Sequence, residues 1–187
     1  MTKRPPRRPP SAERGRPDLE RAVAAHKAGD LATAEAVYRQ ALARRSGDVE
    51  ARHLLGLLCG QSGRVPEAIA HLEAVRRAVP KMAPVQFALA ELLQKQQRGA
   101  EAVAAYRAGL AVAPDNVAAL NNLAGLLREA DDREAAAACF AKALRIAPDY
   151  APAYLGQGQL RAQMDDWPGA LQSYSACLER KPGWPPA

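Results

Sequence analysis

Hydroxyl side chains are scarce in this 187-residue sequence, which holds five serines and two threonines. No Ser/His/Asp spacing suggests an activated nucleophile, and no GxGxxG or GxxxxGK[ST] loop suggests a phosphate cradle. Cysteine is rarer still: Cys59, Cys139 and Cys177 are odd in number and show no CxxC spacing, so neither a disulfide framework nor a zinc site is indicated. They read as small buried residues. His26, His53 and His71 fall on three different predicted helices with no HxxxH pair, which gives no metal-ligand pattern. Met1, Met82 and Met164 are too few for a methionine-rich recognition surface. No apolar run reaches the roughly 18 residues of a membrane span. None comes after the basic opening MTKRPPRRPPSAERGRP that would complete a signal peptide. These absences lead to the expectation of a cytoplasmic protein with no catalytic residues, no cofactor and no metal.

The chain does carry charge, but in one place. Of the formal net charge of +6, residues 1–17 contribute +5 and the remaining residues +1. The same seventeen residues hold five of the fifteen prolines and almost no apolar side chains, so they cannot offset their ordering entropy and are expected to be disordered. A short basic arm attracts phosphates, acidic proteins or anionic lipid. The near-neutral remainder gives no reason to expect nucleic acid as a partner of the body.

Beyond residue 17 the sequence repeats itself with a period of 34. Ala34, Ala68, Ala102, Ala136 and Ala170 recur at that step, each succeeded four places later by Tyr38, Leu72, Tyr106, Phe140 and Tyr174. A second small column holds Ala22, Gly56, Ala90, Ala124 and Gly158, and Pro80, Pro114, Pro148 and Pro182 keep the same step. Five units fit, near residues 15–48, 49–82, 83–116, 117–150 and 151–184, in an array over 18–184.

The fourth unit shows what each repeat forms. From Val117 to Glu129, Leu120, Leu123, Ala124 and Leu127 make one apolar stripe at helical spacing. Asp131 and Asp132 interrupt it and can cap a second helix. From Arg133 to Ala147, Ala136, Phe140, Ala143 and Leu144 make a second stripe, which Pro148 and Asp149 end. The unit is a helix hairpin, in which Ala124 and Ala136 allow close approach and Phe140 fills the space beside them. Pro66, Pro84, Pro152 and Pro168 sit at predicted helix starts, where a missing N–H costs little. The first unit departs most, with Ser46 in the proline column and Asp18 and Arg21 in apolar columns, and its first helix is expected to fray.

The stretch NNLAGLLREADDREAAAACFAKALRIAP, residues 121–148, resembles a tetratricopeptide repeat (TPR), and the resemblance covers about residues 15–184. It implies an all-α, right-handed solenoid of five hairpins. ALNNLAGLL is similar to the arrays of O-linked GlcNAc transferases, and EARHLLGLLCGQSGRVPEAIAHL to arrays that precede transferase domains in bacterial proteins. The Ala/Arg-rich composition fits a bacterial source. The resemblance places a concave groove on the outward face of the first helices, at His53, Leu57, Phe87, Glu91, Gln94, Asn121, Asn122, Gly125, Arg128, Leu155 and Gln159. Of these, Asn121, Gly125 and Arg128 share one helix face opposite the leucine stripe. The carboxylate clamp of chaperone-binding TPR domains is not matched, because its column runs Leu19, His53, Phe87, Asn121, Leu155. The asparagine ladder of the transferase arrays is reduced to Asn122 among Glu20, Leu54, Ala88 and Gly156.

The last residues, KPGWPPA, align with APDYAPA and VPKMAPV, so residues 185–187 read as the opening of a sixth hairpin. Leu171 and Leu178 would then lack the covering helix that their equivalents have. The sequence supports three functional expectations. The first is a non-catalytic scaffold that holds an extended peptide or partner helix in the groove. The second is the N-terminal, substrate-recruiting part of a larger transferase. The third is an adaptor tethered through its basic tail to nucleic acid or an anionic surface. Self-association through the last helix is a further expectation.

Overall fold

A computed structural model describes residues 16–181. The expected disorder of the tail, the column position of Pro182 and the sixth-hairpin opening lie outside the described residues, apart from Arg16 and Pro17. Among the described residues ten helices succeed one another: α1 Pro17–Lys27, α2 Leu31–Arg44, α3 Val49–Gln61, α4 Val65–Ala78, α5 Ala83–Lys95, α6 Gly99–Val112, α7 Val117–Glu129, α8 Arg133–Ile146, α9 Ala151–Gln163 and α10 Trp167–Arg180. They pair as five antiparallel hairpins stacked into an all-α solenoid. First helices of neighbouring hairpins touch (α1 with α3, α3 with α5, α7 with α9), whereas second helices are not stacked on one another in this way. The first helices therefore form the inner layer.

Each intra-hairpin turn is built alike. Gly29, Gly63, Gln97, Asp131 and Asp165 all take positive φ, between 59° and 87°. At every one of them two bonds close the preceding helix. In the third hairpin Gln97 N donates to Gln94 O at 2.9 Å and Arg98 N to Leu93 O at 3.0 Å, and the pairs Asp131–Arg128 and Asp132–Leu127 repeat this in the fourth. This is the Schellman closure, in which a left-handed residue turns the chain so that orphan carbonyls are satisfied. The next helix starts immediately, and Asp30, Asp132 and Asp166 cap α2, α8 and α10 through their carboxylates.

The linkers between hairpins have their own recurring clamp. The carbonyls of Ser46, Pro80, Pro114 and Pro148 accept side-chain bonds from Arg52 (2.5 Å), Gln86 (3.0 Å), Lys142 (2.6 Å) and Arg180 (2.9 Å). Pro17, Pro66, Pro84, Pro152 and Pro168 occupy first helical turns.

The core is laid out along the repeat columns. Ala34, Ala68, Ala102, Ala136 and Ala170 are buried, as are Tyr38, Leu72, Tyr106 and Phe140. A Cβ placed on Gly56 would meet Leu72 at 2.9 Å, and one on Gly158 would meet Tyr174 at 2.5 Å. The small column of the first helix thus receives the bulky column of the second. The first helix of the first unit is formed: Pro17 opens it, Leu19 and Ala22 are buried, and Asp18 and Arg21 remain exposed. Arg16 pairs with the buried Asp48, which also caps α3 through Ala51 N at 3.0 Å. That tie, together with the Leu19 and Ala22 anchors, holds a helix that its polar columns suggested would fray.

Candidate peptide-binding groove

The helices α3, α5, α7 and α9 carry the residues that the sequence singled out, and neighbouring helices use them unequally. Phe87 is half-buried and turns into its own hairpin. Its ring lies 6.5 Å from that of Tyr106 and covers Gly109, where a Cβ would come within 2.4 Å of the ring. Phe87 therefore packs against the second helix of its own hairpin, and a phenylalanine there requires glycine at position 109.

Asn122 lies at the junction of the third and fourth hairpins. Its Nδ2 donates to the Tyr106 hydroxyl at 3.1 Å, and its Oδ1 accepts from Asn121 Nδ2 at 3.4 Å. Position 156, one repeat later, is in the same register: a Cβ on Gly156 would sit 2.4 Å from Phe140. The column compared with an asparagine ladder is thus an inter-hairpin contact, filled by an amide against a tyrosine hydroxyl and by glycine against a phenylalanine. Tyr106 reads from sequence only as a core aromatic, and its hydroxyl's hold on Asn122 has no signal in the repeat pattern. Burial pushes that hydroxyl up, with Asn122 opposing and the Glu91 charge adding to the rise.

Other members of the set remain open to a ligand. Gly125 has no atom within 4 Å of a Cβ built on it. Leu57 and Glu91 are exposed, and Leu155 and Gln159 are half-buried. Gln94 instead lines, with Gln97, Val103, Arg107, Leu126 and Asp132 among others, a cleft of ≈ 920 Å³. His53 Nε2, Asn121 Oδ1 and Arg128 Nε are buried atoms with no hydrogen-bond partner, a property shared outside the set by Gln86 Oε1. Burial holds the His53 imidazole below its usual pKa, which favours the neutral ring. Among the described residues Glu91 forms no ion pair with Arg128. Each unpartnered atom carries a desolvation cost of about 1–3 kcal/mol.

Away from this face, Glu35, Arg39, Arg64 and Glu67 form a network between the first and second hairpins. Arg64 grips Glu35 at 2.7 and 2.8 Å, and Arg39 reaches Glu35 at 2.7 Å and Glu67 at 3.0 Å. The Arg64 guanidinium holds the Glu35 carboxyl below its ordinary value. Cys59 and Cys177 are buried as expected, whereas Cys139 is half-buried. Among the described residues no helix is long and apolar enough to cross a membrane.

Comparison with known proteins agrees with this architecture. Three family models, each described as a tetratricopeptide repeat, match residues 15–83, 61–127 and 117–150. No curated protein sequence matches the chain. Among solved structures, YrrB, described as a TPR protein with an unusual peptide-binding site, is 20% identical with a TM-score of 0.81, over 92% of this chain and 89% of that one. MamA from Desulfovibrio magneticus RS-1 is 18% identical with a TM-score of 0.80, over 87% of this chain and 92% of that one. A tetratricopeptide repeat protein from Parabacteroides merdae is 18% identical with a TM-score of 0.80, over 88% of this chain and 66% of that one.

Proposed function

Because the chain belongs to the tetratricopeptide repeat family, we propose that it is a non-catalytic protein-interaction scaffold whose first-helix face holds an extended peptide or a partner helix. The observation that carries this reading is the accessible stretch of the first-helix layer at Leu57, Glu91 and Gly125, with the Asn121 amide and the Arg128 guanidinium beside it. Asn121 Oδ1 and Arg128 Nε are enclosed in this conformation, and on side-chain rotation toward the groove they would take an N–H and a carbonyl from an extended peptide backbone, whatever the peptide's side chains. The open space at Gly125, one turn from each, gives the peptide room to approach. A carboxylate on the ligand would engage the Arg128 fork. YrrB's described peptide-binding site is consistent with the fold serving this role.

The partner-facing residues are therefore His53, Leu57, Glu91, Asn121, Gly125, Arg128, Leu155 and Gln159, with Phe87 and Asn122 supporting the wall behind them. The last hairpin supports a further contact. Trp167, Leu171 and Leu178 are 64%, 68% and 50% exposed on α10, so this face suits self-association or a covering helix. The groove reading is tested with Asn121→Ala combined with Arg128→Ala. Affinity for a peptide selected from a random library is expected to fall by at least about 1 kcal/mol, the scale of a lost hydrogen bond including one to a charged group. Unchanged affinity by calorimetry contradicts it.

A further inference from the structure

The second hairpin carries a cluster of donor atoms that the groove does not use. Cys59 lies near the end of α3 and is fully buried. Glu67 and His71 stand four residues apart on α4, which places them on one face opposite it. One ligand atom from each, the Cys59 sulfur, a Glu67 carboxylate oxygen and a His71 ring nitrogen, lies within 4.8 Å of the other two. His71 Nε2 and Glu67 Oε1 are 3.8 Å apart. Ligand atoms around a tetrahedral zinc stand roughly 3.3–3.7 Å from one another, given metal–ligand bonds of about 2.0–2.3 Å. Closing the set to that spacing requires the atoms to approach by up to roughly 1 Å. We propose that Cys59, Glu67 and His71 form a three-ligand site for a thiophilic divalent ion of the zinc class, with the fourth position left to water.

The surrounding charges decide whether a cation is tolerated. Arg39 and Arg64 both contact Glu67, at 3.0 and 3.2 Å, and Arg52 also acts on His71. If Glu67 were the arginines' only partner, turning it toward an ion would leave two uncompensated cations beside the metal. Glu35 halves this charge, because it pairs with Arg64 at 2.7 Å and with Arg39 at 2.7 Å independently of Glu67, so that one net positive charge remains and lowers the site's affinity. Glu67 is therefore the carboxylate that can move. Thiolate and carboxylate together neutralise a divalent ion, and the imidazole adds a neutral donor. A sulfur donor in the set selects zinc, cobalt or cadmium over magnesium and calcium. The ion replaces the thiol proton, which burial and the Glu67 charge otherwise hold on the sulfur. Bound, it would clip α3 to α4 across the Gly63 turn.

The test uses the untagged, reduced full chain and cobalt(II) as a spectroscopic probe. One equivalent is expected to produce a thiolate-to-cobalt charge-transfer band with the visible bands of four-coordinate cobalt, and zinc should displace them. The bands should persist in the Cys139→Ser/Cys177→Ser double variant and vanish in Cys59→Ser. In His71→Gln the affinity should fall at least tenfold. Circular dichroism checks that each variant is folded. If Cys59→Ser unfolds, His71→Gln decides, because that half-buried side chain is not part of the core. Absence of a charge-transfer band in the wild-type chain, or unchanged cobalt affinity in His71→Gln, overturns the proposal.

Discussion

Replacing Gln97 with glycine should stabilise the protein, although it removes a side chain and touches no core residue. Gln97 is held at φ 59° by two bonds that close α5, and no side-chain bond of its own offsets that conformation. The left-handed conformation costs an L-residue roughly 1–2 kcal/mol. Glycine escapes that cost but gives up about 0.5–1 kcal/mol through the greater freedom of its unfolded chain. The difference leaves a gain of about 0.5–1 kcal/mol. For a chain of this length that is a rise in melting temperature of roughly 1–4 °C. Gly29 and Gly63 occupy the same position in the first two units with open space around them, so sterics do not oppose the change. Asp131→Gly should gain less, since Asp131 Oδ1 accepts from Arg133 Nε at 2.6 Å and aspartate tolerates this region better. The reverse change, Gly63→Ala, should destabilise by about 1 kcal/mol or more. Urea unfolding monitored by circular dichroism reads all three. A less stable Gln97→Gly, or a Gly63→Ala variant as stable as the parent, would refute the reasoning.

Asn122→Ala should destabilise by about 1 kcal/mol with no ligand present, because it strips the Tyr106 hydroxyl of its partner; an unchanged denaturation midpoint contradicts that junction. Ala136→Leu forces bulk into a fully buried column and should cost about 1–3 kcal/mol, read in the same assay. Glu35 has a depressed pKa in the folded chain, so its contribution is present above the ordinary carboxylate range and fades as pH falls through the folded value. The acid limb of the stability profile should therefore flatten in Glu35→Gln, and an unchanged limb argues against the network. Burial and nearby carboxylates push the Cys59 thiol up to about 11, so Cys59 should be the slowest of the three cysteines to react with a thiol reagent at neutral pH. Mass spectrometry showing it labelled first would contradict its placement.

The period of 34 makes the hairpins readable without coordinates, because alanine and aromatic columns report which positions two helices share. The turns are only half legible. Gly29 and Gly63 announce a left-handed residue, whereas Gln97, Asp131 and Asp165 take the same conformation without a glycine to mark it. The groove is legible as a face but not residue by residue. A helical stripe shows what an isolated helix exposes; it does not show that Tyr106 of the preceding hairpin claims Asn122, or that Phe87 folds back over Gly109. Cys59, Glu67 and His71 leave no ligand spacing in the sequence, since their proximity arises only when α3 and α4 pair.

The central claim is that ligands bind along the inner layer of first helices. Backbone amide shifts measured by NMR, with and without a peptide selected from a random library, test it most directly. Perturbations should concentrate on α3, α5, α7 and α9, at and around His53, Asn121, Gly125 and Arg128, and should disappear with Asn121→Ala/Arg128→Ala. Perturbations confined to α4, α6 and α8, or a shift pattern that survives that double substitution, would contradict it.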